Sequence, residues 1–128
     1  MTTSSVSPVT TELAGSETGI TLVIHAGAGS RGKHSTPERI AQVELDLQRA
    51  LDAGYQLLES GAPAHEAVVA AIHVMEDAPE FNAGRGAALT SDGIAQMDAC
   101  LMTGDGEVGA VTGVSTVKNP IDAARAVK

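Results

Sequence analysis

Apolar residues recur every three or four positions through the first half of the chain and then change to short runs and alternation. A helix-patterned half therefore gives way to a strand-patterned one. Ser35-Thr36-Pro37-Glu38 combines a hydroxyl cap, a proline whose missing N–H costs nothing in a first turn, and an acid near the positive helix end. Ile40, Val43, Leu47, Ala50, Leu51, Gly54 and Leu58 then define one buried face through about Ser60, and Gly61 closes the helix. Pro63 opens a second helix with Ala67, Val68, Ala71, Ile72 and Met75 as its stripe, and Pro79 forbids continuation. The short connection predicts that the two helices pack as neighbours.

Residues 21–25, β-branched and apolar, predict a buried strand running into the small-residue loop Ala26-Gly27-Ala28-Gly29-Ser30. Beyond the helices, residues 87–90 and 94–102 read as strands joined by Ser91-Asp92-Gly93, and Asp105-Gly106 turns into a third strand over 107–114. An antiparallel meander is expected. Asn119 then caps a helix with Pro120 in its first turn and Ile121, Ala124 and Val127 on one face. A helix of about nine residues without a capping glycine is marginal by itself, so the sequence reads as separated from further chain that completes it. Residues 1–19, rich in Ser, Thr and Gly without an apolar period, read as a disordered tail, and 20–128 as one domain portion.

Composition narrows the picture. Phe81 and Tyr55 are the only aromatics, so the core must be built from Ala, Val, Ile, Leu and Met with glycines at close contacts. A formal charge of −8 opposes attraction to nucleic acid or an anionic membrane. The longest purely apolar run, residues 67–72, is far short of the roughly 20 residues of a spanning helix, and no basic start precedes an apolar signal stretch. Cys100 is the single cysteine and excludes an internal disulfide. A soluble, cytoplasmic protein is expected.

The stretch Glu80-Phe81-Asn82-Ala83-Gly84-Arg85-Gly86 joins the two halves. Its glycines allow positive φ and close approach of the backbone, and Asn82 offers a donor and an acceptor, which suits placement of main-chain carbonyls. Gly27-Ala28-Gly29-Ser30-Arg31-Gly32 has the dinucleotide spacing, but no helix opens at Gly32 and no acid lies about 20 residues on at a strand end. His65 and His73 lack a third ligand at metal spacing and read as ordinary helix residues. His25, at a strand end beside glycines, reads as a packed residue or one lining a site. No serine, threonine or cysteine stands in an activating context, and Cys100 reads as a small core filler. Asp98 interrupts an apolar strand, as a loop-facing acid or as a buried structural contact.

Taken in order, five motifs resemble the isoaspartyl peptidase/L-asparaginase family, the plant-type asparaginases of the N-terminal-nucleophile hydrolase superfamily. They are Ile24-His25-Ala26-Gly27-Ala28-Gly29, Phe81-Asn82-Ala83-Gly84-Arg85-Gly86, Met97-Asp98-Ala99-Cys100-Leu101-Met102-Thr103-Gly104, Gly109-Ala110-Val111, and Lys118-Asn119-Pro120-Ile121-Asp122-Ala123-Ala124-Arg125. The resemblance implies an α/β fold, a four-layer αββα sandwich of which only the first part is present. It also implies a precursor that cleaves itself to expose a catalytic threonine, and hydrolysis of L-asparagine and β-aspartyl dipeptides. The catalytic residues proper would lie outside this sequence, because neither Thr112 nor Thr116 is followed by the Val-Gly-Ala of the nucleophile motif. Implied partners are the protein's own carboxy-terminal subunit and a second such heterodimer.

The resemblance further implies a structural sodium ion held by the backbone carbonyls of Met75, Glu76, Ala78, Phe81, Ala83 and Arg85. It implies active-site support from Asn82, and an autocleavage-associated loop formed by His25, Ala26, Gly27 and Gly29. Four positions depart from the family's usual residues: Ala26 for glycine, Ala87 for serine, Gln96 for glutamate and Thr103 for aspartate. Ala26 carries the largest consequence, since a methyl group restricts a loop that must rearrange. A glycosylasparaginase of the same superfamily, or a noncatalytic structural fragment or pseudoenzyme, are the alternatives.

Overall fold

The computed structural model describes residues 19–26 and 36–128. The expected tail over 1–18, the capping Ser35 and the glycine-rich loop with Gly27 and Gly29 lie outside the described residues. Five regular elements and one 3-10 turn follow: α1 (Pro37–Glu59), α2 (Ala64–Asp77), the turn Gly84–Gly86, β1 (Met97–Met102), β2 (Val108–Val114) and α3 (Pro120–Ala126). No described helix is long and apolar enough to cross a membrane.

The ends of α1 are where the sequence puts them. Thr36 caps the start, its hydroxyl accepting the Arg39 N–H at 3.3 Å. At the other end Gly61 takes φ 84°, the Gly61 N–H bonds to the Leu58 carbonyl at 3.0 Å, and the Ala62 N–H bonds to the Leu57 carbonyl at 2.9 Å. That pair of bonds is the Schellman closure, which reverses the chain into α2. The helices meet closely because their contact is made of small residues. A methyl group on Gly54 would lie 2.8 Å from the Ala67 carbonyl and 3.4 Å from Ala71 Cβ.

Both stripes shift from expectation. On α1 the buried set is Val43, Asp46, Ala50, Leu51 and Gly54, while Ile40 is exposed. Asp46 tolerates burial because its two oxygens accept from Gln42 at 2.9 Å and Arg49 at 3.1 Å. On α2, Val69 rather than Val68 faces the core. This helix is covered on two sides, by α1 through Ala67 and Ala71 and by the sheet through Val69, so its apolar arc is wider than one stripe.

Residues 21–25 form no strand. A strand exists only beside a hydrogen-bonded neighbour, and none accompanies this run among the described residues. Its Leu22 is nevertheless buried, with a methyl 2.7 Å from where a side chain on Gly54 would begin. The expected meander is also smaller than its pattern. Residues 87–96 contribute a single antiparallel bridge, Leu89 to Ala95, around the turn at Gly93, and the ladder proper is β1 against β2.

α3 lies across one face of this hairpin, where Leu101, Ile121, Ala124 and Val69 form a core with Ala99, Val111 and Ile72 around it. The other face, with Asp98, Cys100, Met102, Val108, Ala110 and Thr112, is exposed. Cys100 is therefore not a core filler, because strand alternation puts it on the uncovered side.

Candidate functional site

The link between the helical and strand halves is held from several sides. Phe81 is buried with Val43 and Ala78, and Ala26, Leu47 and Met75 pack around them. Arg39 pairs with Glu80 at 2.7 Å, fixing the start of α1 to the same segment. The chain then turns tightly, the Gly86 N–H bonding to the Ala83 carbonyl at 3.0 Å and the Ala87 N–H to the Gly84 carbonyl at 3.2 Å. Gly84, at φ 50°, lies on the backbone of Glu76: a methyl there would overlap the Glu76 carbonyl oxygen and sit 2.7 Å from its Cβ. A methyl on Gly86 would overlap the Phe81 carbonyl oxygen and lie 2.6 Å from that of Pro79. Both glycines are required by this close approach of carbonyl groups.

Asn82 is exposed, and its amide oxygen accepts the Ala88 N–H at 2.8 Å. That bond fixes the side chain across the loop and leaves the NH2 group to face outward as a donor.

Besides the loop, α2 also meets α3. Glu76 is 3% exposed, and its Oε1 accepts the Ile121 N–H at 3.1 Å. Burial pushes this carboxyl up from its ordinary value, against the opposing effect of the Asn119 amide and the Ile121 N–H. Asn119 itself does not cap α3. Its side chain donates to Asp77 at 3.3 Å, and the acid next to Asp77 in α2 does the capping instead. Asp77 also pairs with Lys118 at 3.0 Å, and these two bonds hold its carboxyl below the usual range. Farther along, His73 meets Asp122 at 2.8 Å and Glu66 meets Arg125, so α2 and α3 run antiparallel with a row of polar contacts between them. An open depression of about 530 Å³ lies beside this row, bordered by Glu76, Asp77, Arg85, Met97, Ser115 and Lys118.

At the depression's strand wall, Met97 pairs with Val114 but Ala99 pairs with Val111, so β2 carries one extra residue there. Asp98 lies opposite this bulge. Its Oδ1 accepts from the Thr112 hydroxyl at 2.7 Å and the Gly113 N–H at 2.8 Å, and Gly113 has φ 64°. Asp98 is thus an exposed acid with a local structural task, its carboxyl held low chiefly by the Gly113 N–H and then by Thr112.

A family model described as asparaginase matches residues 18–128. The chain belongs to the asparaginase family. Relatives within it include the plant-type L-asparaginase of Pyrococcus abyssi, 46% identical over 109 residues, which is 84% of this chain and 34% of that protein. The isoaspartyl peptidase of Escherichia coli is 40% identical over 109 residues, covering 83% of the chain and 34% of the relative. The isoaspartyl peptidase/L-asparaginase of Bos taurus is 41% identical over 107 residues, with 83% and 34% covered. The chain spans about a third of the length of the curated relatives it matches.

Of the residues singled out for this asparaginase-family site, the structure brings Ala26, Met75, Ala78 and Phe81 into one packed group. It sets Glu76 against Gly84, and Asn82 across the turn to Ala88. His25 is exposed, and Arg85 is exposed on the rim of the depression. The segment is rich in backbone oxygens, the ligand type a hard cation takes. Glu76, Pro79 and Phe81 carbonyls approach the inner glycines, and Pro79 has no N–H to occupy the Met75 carbonyl one turn back. The negative end of the α2 dipole falls at the same segment. Sequence reasoning read Pro79 only as the stop of the second helix, whereas a proline directly after a helix also frees a carbonyl one turn back and adds its own to the loop. It also passed over the Glu76 side chain, whose partner lies 45 residues away.

Proposed function

We propose that residues 20–128 are the amino-terminal part of an N-terminal-nucleophile hydrolase domain acting as a plant-type asparaginase or isoaspartyl peptidase. Its substrates are L-asparagine and β-aspartyl dipeptides. The observation that carries this reading is the family match over residues 18–128, with relatives bearing those two names at 40–46% identity.

In this reading the protein is made as a precursor. Self-cleavage frees a threonine, outside these 128 residues, whose α-amino group serves as the base for its own hydroxyl. The hydroxyl attacks the side-chain carbonyl, ammonia or the amino-acid leaving group departs, and water then hydrolyses the resulting ester to release aspartate.

This chain's residues have supporting tasks. The backbone carbonyls of Met75, Glu76, Ala78, Phe81, Ala83 and Arg85 would hold a sodium ion, whose charge would offset their mutual repulsion and order the loop. Asn82, with its oxygen engaged by Ala88, presents its NH2 group beside the nucleophile. The exposed face of β1 and β2 receives the second sheet of the αββα sandwich, supplied by the protein's own carboxy-terminal subunit, and two such heterodimers associate. The location is cytoplasmic.

The test is to express the longer protein and follow three readouts: its size on a denaturing gel, ammonia release from L-asparagine, and aspartate release from a β-aspartyl dipeptide. Two cleavage products and release from either substrate are expected. An uncleaved protein that turns over neither would sink the proposal.

A further inference from the structure

We infer that Glu76 is a positioning residue that couples the carbonyl loop to α3, with its main chain on the loop side of the joint and its carboxylate on the helix side. This rests on the cation-binding reading of the loop given above. The backbone of Glu76 supports Gly84, and one carboxylate oxygen accepts the Ile121 N–H at 3.1 Å while the other is buried without a hydrogen bond among the described residues. Ile121 occupies the first turn of α3, where an N–H has no partner within the helix, and the native cap candidate Asn119 is turned to Asp77. The side chain of Ile121 is itself 1% exposed, packed with Leu101 of β1.

A continuous path therefore runs from Gly84 through the buried Glu76 and Ile121 into the sheet. Val69 of α2 packs on Ile121 and Ala124 beside this path, whereas the ion pairs Lys118 with Asp77 and His73 with Asp122 join exposed side chains that contribute little rigidity. Close-packed groups transmit displacement rather than absorb it. The Glu76 backbone against Gly84 and the Glu76 carboxylate on the Ile121 N–H belong to one residue, so ordering of the loop would be felt where the carboxylate holds α3 on the hairpin.

The test uses the full-length protein labelled with nitrogen-15, with sodium chloride replacing choline chloride at constant ionic strength. The amide signals of Gly84 and Gly86 report the loop, and the signal and hydrogen exchange of the Ile121 amide report the joint. All three are expected to shift with one midpoint, and Ile121 exchange to slow at least about fivefold. Glu76→Gln, which keeps an acceptor, should retain the Ile121 response. Glu76→Ala should abolish it while Gly84 and Gly86 still respond. A wild-type protein in which the glycines respond and Ile121 does not overturns the coupling alone, as does an unchanged Ile121 response in Glu76→Ala. Silent glycines overturn the cation reading and the coupling with it. Should Glu76→Ala not fold, the wild-type and Glu76→Gln titrations decide by the same criteria.

Discussion

Asn82 and Asp98 show how one side chain can fix a backbone and leave a specific consequence to measure. The oxygen of Asn82 holds the Ala88 N–H, so its two amide functions are separable by substitution. In the proposed precursor, Asn82→Ala should slow self-cleavage on a gel time course and speed Ala88 amide exchange. Asn82→Asp, which keeps an acceptor but loses the NH2 donor, should slow cleavage while leaving Ala88 protected. Processing at the normal rate in both variants would remove Asn82 from the site. Asp98 makes a pH prediction. Its carboxyl titrates lower when folded than when unfolded, because the ionised form accepts from Gly113 and Thr112. The stabilisation is complete above the ordinary carboxylate range and is lost as pH falls through the lowered folded value. The Gly113 amide shift should follow that titration and become flat in Asp98→Asn.

At the scale of elements, glycines decide whether the turns close. Gly86→Ala should destabilise the chain by about 1–3 kcal/mol in denaturant unfolding, because the new methyl overlaps the Phe81 carbonyl oxygen. Gly61→Ala should cost about 1–2 kcal/mol through its left-handed φ alone, since open space surrounds it. Gly104→Ala, with neither a neighbour within 4 Å nor a positive φ, is the neutral control. A loss at Gly104 equal to that at Gly86 would count against the close-approach argument. What was legible in the sequence follows the same division. Thr36, Pro37, Gly61 and Pro79 act on their own turn, so local chemistry located both long helices and the hairpin turns. Three features depended on distant chain. Residues 21–25 lack a ladder neighbour, Cys100 faces outward because α3 covers the opposite face, and Glu76 displaces Asn119 as the cap of α3. Within the site, Phe81 and Asn82 were readable as loop residues, whereas the buried carboxylate of Glu76 had no local signal.

For the molecule as a whole, the decisive feature is the asymmetry of its two-stranded sheet. One face is sealed by Leu101, Val111, Ile121 and Ala124, and the other presents Met102 at 65% and Val108 at 52% exposure beside Cys100 and Ala110. Paired directly across the ladder, Met102 and Val108 form the apolar centre of the uncovered face. Water disfavours contiguous apolar surface, so the 128-residue segment expressed by itself should bind a hydrophobic dye and self-associate in light scattering. It should also hydrolyse neither L-asparagine nor a β-aspartyl dipeptide, since the proposed function places the nucleophile outside these residues. Replacing Met102 and Val108 with lysine separates this explanation from general misfolding. The double variant of the segment should stay monomeric with unchanged helix content by circular dichroism, because neither side chain contributes to the sealed core. The same pair of lysines in the proposed precursor should impair assembly and self-cleavage, because the proposed sandwich would force two charges between its sheets without partners. A longer protein that folds and processes normally with both lysines would show that this face stays in water, and the sandwich arrangement would have to be abandoned.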